Sequence, residues 1–318
     1  MSIRVLSLAD TSDCDDVLDP LRRVADVAIR PADAAILRTE IVNTDIYLAA
    51  LQVRIEATHL DAANRLKAIA TPSTGLDHID LAAAQERNIT VLSLKDDKDF
   101  LNSLTATAEL AWALLLGVVR RLPWAVQAAH SGDWARDRFR GHQISGKTLG
   151  IVGYGRLGRM VAEFGKAFRM RVIATDTGHT RPAGGVELMS LEKLLPQADV
   201  VSIHVHLTES TRGMIGREQI AQMKRGAVLI NTSRGAIVDE AALLDALKSG
   251  QLLGAGLDVI DGEWRTDLPQ HPLIQYAARH QNLVISPHIG GVTFESQRMA
   301  YARTVEMILS FLREKELI

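Results

Sequence analysis

The chain has 318 residues, 47% of them hydrophobic and 23% charged, with a formal net charge of -2. That length holds two ordinary domains with a core each, and the composition is that of a globular protein rather than a disordered one. The near-neutral balance excludes a broad basic field, so neither nucleic acid nor anionic membrane is an expected partner; a single cysteine, Cys14, excludes an internal disulfide and a cysteine-based zinc site.

The first residues, Met-Ser-Ile-Arg-Val-Leu-Ser-Leu, read as a strand and lack the long apolar region and cleavage site of a signal peptide, so a cytoplasmic protein is expected. Further strands are expected at residues 25–30, 47–51, 66–70 and 90–92, with helical segments between them. This alternation implies a largely parallel sheet. Thr71-Pro72-Ser73-Thr74-Gly75 reads as a turn after the fourth strand. Lys95-Asp96-Asp97-Lys98-Asp99 reads as a solvated loop crossing to a second domain.

Residues 104–129 are helical in pattern and strongly apolar, with Pro123 placed to kink or restart the helix. The apolar run 110–119 is too short to span a bilayer and ends in Arg120-Arg121. Such a helix must bury more than one face, within its own domain or partly against a second subunit.

The next stretch organises the rest. Leu149-Gly150-Ile151-Val152 is a short apolar run of the kind a buried parallel strand shows, and residues 160–168 resume at helical period. Between them stand Gly153, Gly155 and Gly158. In a strand–turn–helix these allow, in order, the tight turn, the approach of a pyrophosphate to the backbone, and close packing of helix on strand. The helix N-terminus adds unpaired N–H groups for phosphate. A second β-rich run, Arg171-Val172-Ile173-Ala174-Thr175, ends in Asp176. An acid there grips the adenosine ribose hydroxyls and repels a 2′-phosphate, which favours NAD over NADP. A lone glycine motif is weak, and a βαβ unit with a solvated Asp is the plain alternative. Strand, glycines, helix and acid together point to the dinucleotide.

Beyond Asp176, helices are expected at 191–195, 240–249 and 296–314, and strands at 198–204, 226–231, 254–259 and 282–286. The glycine-loop domain, residues 101–287, is then an insertion into a smaller domain of residues 1–100 and 288–318. Two crossings imply a hinge over a ligand cleft.

Three stretches of the inserted domain place reactive side chains at strand ends: Arg234 with Gly235, Asp258 followed by Glu263, and Ser286-Pro287-His288. Singly these are a surface ion pair, a loop acid and a satisfied histidine. Together, after a dinucleotide loop, they form a catalytic set. His288 titrates nearest working pH and suits acid/base work. Glu263 against its other ring nitrogen would fix the tautomer and keep it able to donate. Arg234 offers a planar fork that holds an anionic substrate and polarises its carbonyl. No metal site is expected.

Gly153-Tyr154-Gly155-Arg156-Leu157-Gly158, Asn231-Thr232-Ser233-Arg234-Gly235, Leu257-Asp258-Val259 with Glu263, and Ser286-Pro287-His288-Ile289-Gly290-Gly291 follow one another in an order and spacing that resemble the D-isomer-specific 2-hydroxyacid dehydrogenases. So does Ser73-Thr74-Gly75-Leu76-Asp77-His78-Ile79-Asp80. That family includes phosphoglycerate, glyoxylate/hydroxypyruvate and D-lactate dehydrogenases. The resemblance implies an α/β fold of two Rossmann-like parallel-sheet domains, the NAD-binding one inserted into a smaller flavodoxin-like substrate domain. It implies catalytic Arg234, Glu263 and His288, with His288 as proton donor in reduction of a 2-oxo acid. Implied cofactor contacts are Thr74, Gly153, Gly155, Arg156, Leu157, Gly158, Asp176, Thr232, Ser233, Arg234, Asp258, His288 and Gly290. Substrate contacts would be Arg54, Ser73, Thr74, Gly75, Arg234 and His288. A homodimer through the NAD-binding domains is also implied.

Some positions depart from the family pattern. Thr71 stands where phosphoglycerate dehydrogenases usually have a phosphate-binding arginine, although Arg54 and Arg136 match other basic positions of those enzymes. Ser103 replaces a usual Asn, with Asn102 one residue off; His206 replaces a usual proline. Trp264 replaces the proline after the catalytic Glu, and either narrows the cleft or covers the loop. With Ile318 as the last residue, no regulatory domain is expected. The expected activity is NAD-dependent interconversion of a small D-2-hydroxy acid and its 2-oxo acid. The alternative is a dinucleotide-sensing, corepressor-like binding protein, since such relatives keep the same Arg, Glu and His. Formate dehydrogenases are disfavoured because they place Gln where Glu263 stands.

Overall fold

The structure is a computed structural model that describes residues 2–178 and 184–318. The chain divides into two compact units, Met1–Leu104 with Val292–Ile318, and Thr105–Gly291. The return to the first unit therefore falls four residues later than the sequence pattern suggested, so that His288 lies in the inserted unit.

The first unit is built on five parallel strands, β1 (Ile3–Ser7), β2 (Ala25–Ile29), β3 (Ile46–Leu48), β4 (Ala68–Thr71) and β5 (Thr90–Ser93), in the order β2-β1-β3-β4-β5. Alternation along the strands sends side chains to opposite faces. Leu6, Tyr47 and Ile69 pack with Leu37, Ile41 and Leu60 on one side. Val5, Ile46, Leu48, Ala68 and Ala70 pack with Val305, Ile308 and Leu312 of the last helix, Phe294–Glu314, on the other. That helix starts where the Thr293 hydroxyl accepts from the Ser296 N–H, supplying one of the acceptors that the free first-turn donors need.

The charged stretch at 95–99 is not the solvated crossing loop expected from its composition. It lies within a short 3₁₀ turn, Leu94–Asp96, and a helical turn, Lys98–Leu101, capped by the Asp97 carboxylate on the Phe100 N–H. Leu94 and Leu101 are buried with Ala300, so two apolar anchors outweigh the charges between them. Asp97 also accepts from the Arg303 guanidinium at 2.6 Å.

The second unit carries seven parallel strands: β6 (Thr148–Val152), β7 (Arg171–Thr175), β8 (Glu187–Leu188), β9 (Val200–Ile203), β10 (Ala227–Asn231), β11 (Leu252–Leu257) and β12 (Leu283–Ile285). Their order is β12-β11-β10-β9-β6-β7-β8, the doubly wound arrangement with its switch point at β6 and β9. The apolar segment at 104–129 forms two helices, Ala106–Val119 and Leu122–His130, separated by Arg121 at φ +54°. Pro123 sits in the first turn of the second helix, where its missing N–H costs nothing, so it restarts the chain rather than kinking it. Trp112, Leu115 and Val118 of the first helix pack on Leu149, Ile151, Val228 and Ile230 of the sheet. Over Lys98–Val119 the chain is, by length and composition alone, apolar enough to cross a bilayer. Packing on this sheet already accounts for the apolarity of residues 106–119.

Candidate active site

All strands of the second sheet run in parallel, and Val152, Thr175, Ile203, Asn231, Leu257 and Ile285 are register partners across it. Its carboxyl edge therefore carries, strand by strand, the loops that bear Asp176, the glycines, His204, Arg234, Glu263 and His288. Ligands of open α/β sheets bind along this edge.

The glycine loop leaves β6 with Gly153 at φ +95°, a conformation other residues rarely adopt. A Cβ on Gly158 would stand 2.1 Å from the Gly153 oxygen, so only glycine lets the helix Arg156–Ala167 approach the turn this closely. A Cβ on Gly155 would meet nothing within 4 Å among the described residues. Space of this kind at the start of a helix, whose first-turn N–H groups have no carbonyl partner within the helix, fits a pyrophosphate. Leu157 is half-buried beside it, and burial pulls the neighbouring Arg156 guanidinium below its usual range. Asp176 follows β7, with its carboxylate accepting from the Gly178 N–H at 2.9 Å. The next residues of that loop, 179–183, lie outside the described residues.

The turn after β10 is held by Asn231. Its amide donates to the Arg234 carbonyl at 2.9 Å, and its side-chain oxygen accepts from the Ser233 N–H at 2.9 Å, a local turn of the kind Asn favours. The Ser233 hydroxyl donates to the Ile203 carbonyl and ties the turn to β9. Arg234 is half-buried and donates to the Ser233 carbonyl at 2.8 Å. The Thr232 hydroxyl is buried with no partner among the described residues, an open bond at the edge where a cofactor would lie. The residues present thus fit a bound NAD. Gly235 closes against the loop after β11: its Cβ position is 2.1 Å from the Asp261 nitrogen and 2.1 Å from the Ile260 carbonyl carbon.

That contact matters because the β11 loop carries Asp258 and Glu263. Asp258 is only 1% exposed. Its carboxylate accepts from the Ser286 hydroxyl at 2.6 Å, the Ile289 N–H at 2.8 Å and the Gly290 N–H at 2.7 Å, while its carbonyl accepts from the His288 N–H at 2.8 Å. Burial pushes the acid upward and these donors oppose the shift. Whatever else it touches, Asp258 builds the His288 turn. It holds His288 at φ +56°, a left-handed conformation that few non-glycine residues adopt.

The imidazole and Glu263 meet. His288 Nδ1 lies 2.6 Å from Glu263 Oε1, and the two side chains are 14% and 17% exposed. The Trp264 indole lies nearly parallel to the imidazole, at 21° with centroids 6.0 Å apart. The loop is anchored from behind, where Glu240 accepts from the Asp261 N–H at 2.7 Å and faces His271 Nε2 at 3.2 Å.

In the first unit, Thr71 is 1% exposed, and its hydroxyl lies 2.9 Å from the Ser73 hydroxyl and 3.4 Å from His78 Nε2. The Ser73 hydroxyl donates to the Gly75 carbonyl at 2.9 Å, shaping the turn that presents Thr74. Arg54 is exposed in the loop after β3. Arg136, in the second unit, is also exposed.

Residues 112–290 match the family "D-isomer specific 2-hydroxyacid dehydrogenase, NAD binding domain". The chain belongs to this family. It is 37% identical over 272 residues to a hydroxypyruvate reductase of Thermotoga maritima, covering 86% of each sequence. It is 36% identical to a D-3-phosphoglycerate dehydrogenase of Methanocaldococcus jannaschii across 87% of this chain, and spans only 51% of that longer relative. Among solved structures, a D-lactate dehydrogenase from Aquifex aeolicus complexed with NAD and lactic acid superposes with a TM-score of 0.86 at 28% identity, covering 98% of this chain and 96% of that one. The family makes the chain an NAD-dependent oxidoreductase of the 2-hydroxyacid dehydrogenase class, with the second unit as its NAD-binding domain.

Several members of this site escape a sequence reading. Asn231 had a local signal, an Asn ending an apolar strand before a Ser. Glu240 and His271 act through contacts across 20 or more residues and leave no such mark, whereas Gly235 and Ser286 stand within the motifs around Arg234 and His288. His204, at the end of β9, also belongs here. Its Nε2 lies 2.8 Å from the Ser202 hydroxyl and its Nδ1 is buried without a partner among the described residues. Burial pushes this imidazole down to about 4, so it is neutral at working pH.

Proposed function

We propose that this dehydrogenase interconverts a small D-2-hydroxy acid and its 2-oxo acid with His288 as the acid/base group. The 2.6 Å contact between His288 Nδ1 and Glu263 supports the reading, because it leaves Nε2 as the ring nitrogen that faces a substrate oxygen. NADH, when bound, supplies the hydride that reduces the carbonyl carbon. His288 gives the Nε2 proton to the carbonyl oxygen and takes it back in the oxidative direction. Glu263 stabilises the imidazolium before transfer and holds the Nδ1–H tautomer after it. Arg234 binds the substrate's anionic end and polarises its carbonyl. Ser73, Thr74, Gly75 and Arg54 remain the proposed further substrate contacts.

The substrate class is that of hydroxypyruvate and glyoxylate reductases or phosphoglycerate dehydrogenases. Thr71 favours the unphosphorylated members: it offers no charge, is buried, and is already engaged by Ser73 and His78. We also propose a cytoplasmic homodimer that acts on small molecules alone. The helix Leu122–His130 supports the pairing, since none of its residues is buried and Leu122 and Val126 are exposed.

The test is NADH oxidation against glyoxylate, hydroxypyruvate, pyruvate and phosphohydroxypyruvate, with wild type and His288→Asn in parallel. Asn tolerates the left-handed backbone. The variant is expected to lose about 10²–10⁴-fold in kcat with NADH affinity kept. Near-native turnover by the variant refutes the assignment. Sedimentation of the full chain checks the dimer.

A further inference from the structure

The turn Gly262–Arg265 presents an aromatic ring to the face of the acid/base histidine. Gly262 takes φ +71°, Arg265 N–H donates to the Gly262 carbonyl at 3.0 Å, and the Arg265 guanidinium is clamped to Asp267. With Asp261 fixed by Glu240, the backbone on both sides of Trp264 is held. Trp264 is 50% exposed, whereas the His288 and Glu263 side chains are 14% and 17% exposed. An indole placed only to be buried would hide more of itself. This one lies near-parallel to the imidazole, with centroids 6.0 Å apart.

We propose that Trp264 is a positioning residue for His288, holding the plane of the imidazole and excluding water from one of its faces. A single hydrogen bond at Nδ1 restrains the ring at one atom and leaves it free to tilt. A near-parallel, offset ring 6.0 Å away limits that tilt, and its π surface also favours the imidazolium that precedes proton transfer. The proposed role rests on the reading of His288 as acid/base group.

Three variants of the full chain test it: Trp264→Phe, Trp264→Leu and His288→Asn. Aromatic contacts of this kind predict that Trp264→Leu lowers kcat about three- to tenfold while KM and NADH affinity change less than about twofold. Trp264→Phe should recover most of the rate, because it restores a ring. A second readout needs no turnover. Trp264 emission, isolated as the wild-type minus Trp264→Phe spectrum without cofactor, is quenched by the stacked imidazole and should rise in His288→Asn. Unchanged kcat in Trp264→Leu, with thermal unfolding as in wild type, overturns the proposal. So does an equal rate loss in the Phe and Leu variants, or Trp264 emission indifferent to His288. Full activity of His288→Asn would instead overturn the underlying acid/base reading, and the Trp264 role with it.

Discussion

Gly235→Ala is a small change with a large expected effect. The new methyl would stand 2.1 Å from the Asp261 nitrogen and 2.1 Å from the Ile260 carbonyl carbon, where real contacts are never below 3.0 Å. One of two backbone segments must therefore move by about 1 Å or more. On one side, Arg234 is the preceding residue and its carbonyl is held by Asn231 at 2.9 Å. On the other, Asp261 is held by Glu240 at 2.7 Å, and Glu263 lies two residues beyond. Whichever segment yields, one of the three proposed catalytic groups is displaced. Overpacking of this kind costs about 1–3 kcal/mol, or roughly 2–10 °C in the unfolding midpoint of a unit this size. A misplacement of about 1 Å at a catalytic group costs about 10²-fold in kcat. Calorimetry and steady-state kinetics on the same preparation measure both. NADH affinity should fall less than kcat, since the glycine loop at β6 is untouched and only the Thr232–Arg234 edge of the cofactor site is disturbed. Native turnover with a native midpoint would show that the two loops are not coupled through this contact.

Two other substitutions probe the same edge. Gly155→Ala puts a methyl into open space, so thermal stability should be unchanged while NADH affinity falls at least about tenfold, where the pyrophosphate must approach the backbone; unchanged affinity would place the phosphates elsewhere. His204 gives the fold an acid-sensitive point: its pKa is pushed to about 4, whereas in the unfolded chain it titrates near 6.5. Below 6.5 the unfolded state takes up the proton first, so stability present above that pH is lost as pH falls towards 4, by about 2–3 kcal/mol at most. The melting temperature of wild type should therefore fall faster than that of His204→Asn between pH 7 and 4.5, and parallel curves would refute the burial argument.

Much of this architecture is legible residue by residue. Every strand but β8 announces itself in the sequence, and Gly153 and Gly158 each have a steric reason that the structure displays. The expected strand at Arg171–Thr175 and the helix at Glu240–Ser249 are found at those positions. The segment at 95–99 failed because its charges are local and conspicuous, whereas the burial of Leu94 and Leu101 depends on Ala300, some 200 residues away. The unit boundary failed for a related reason. His288, Ile289 and Gly290 are tied to Asp258 by hydrogen bonds that span about thirty residues, so they stay with the inserted unit. The placement of Trp264 beside His288 was equally out of reach, since the sequence shows a loop tryptophan but not what its ring faces.

The inserted unit also begins and ends at one place. The Thr107 hydroxyl donates to the Gly290 carbonyl at 3.0 Å, tying the segment Thr105–Gly291 shut at its neck. To the chain on either side, a whole domain therefore presents itself as a short connector. Closing a slack loop of that length rather than one of a few residues would cost about 3 kcal/mol more, and a neck that folds with the domain removes most of that difference. Ends that meet in this way are the general circumstance in which domain insertion and circular permutation are tolerated.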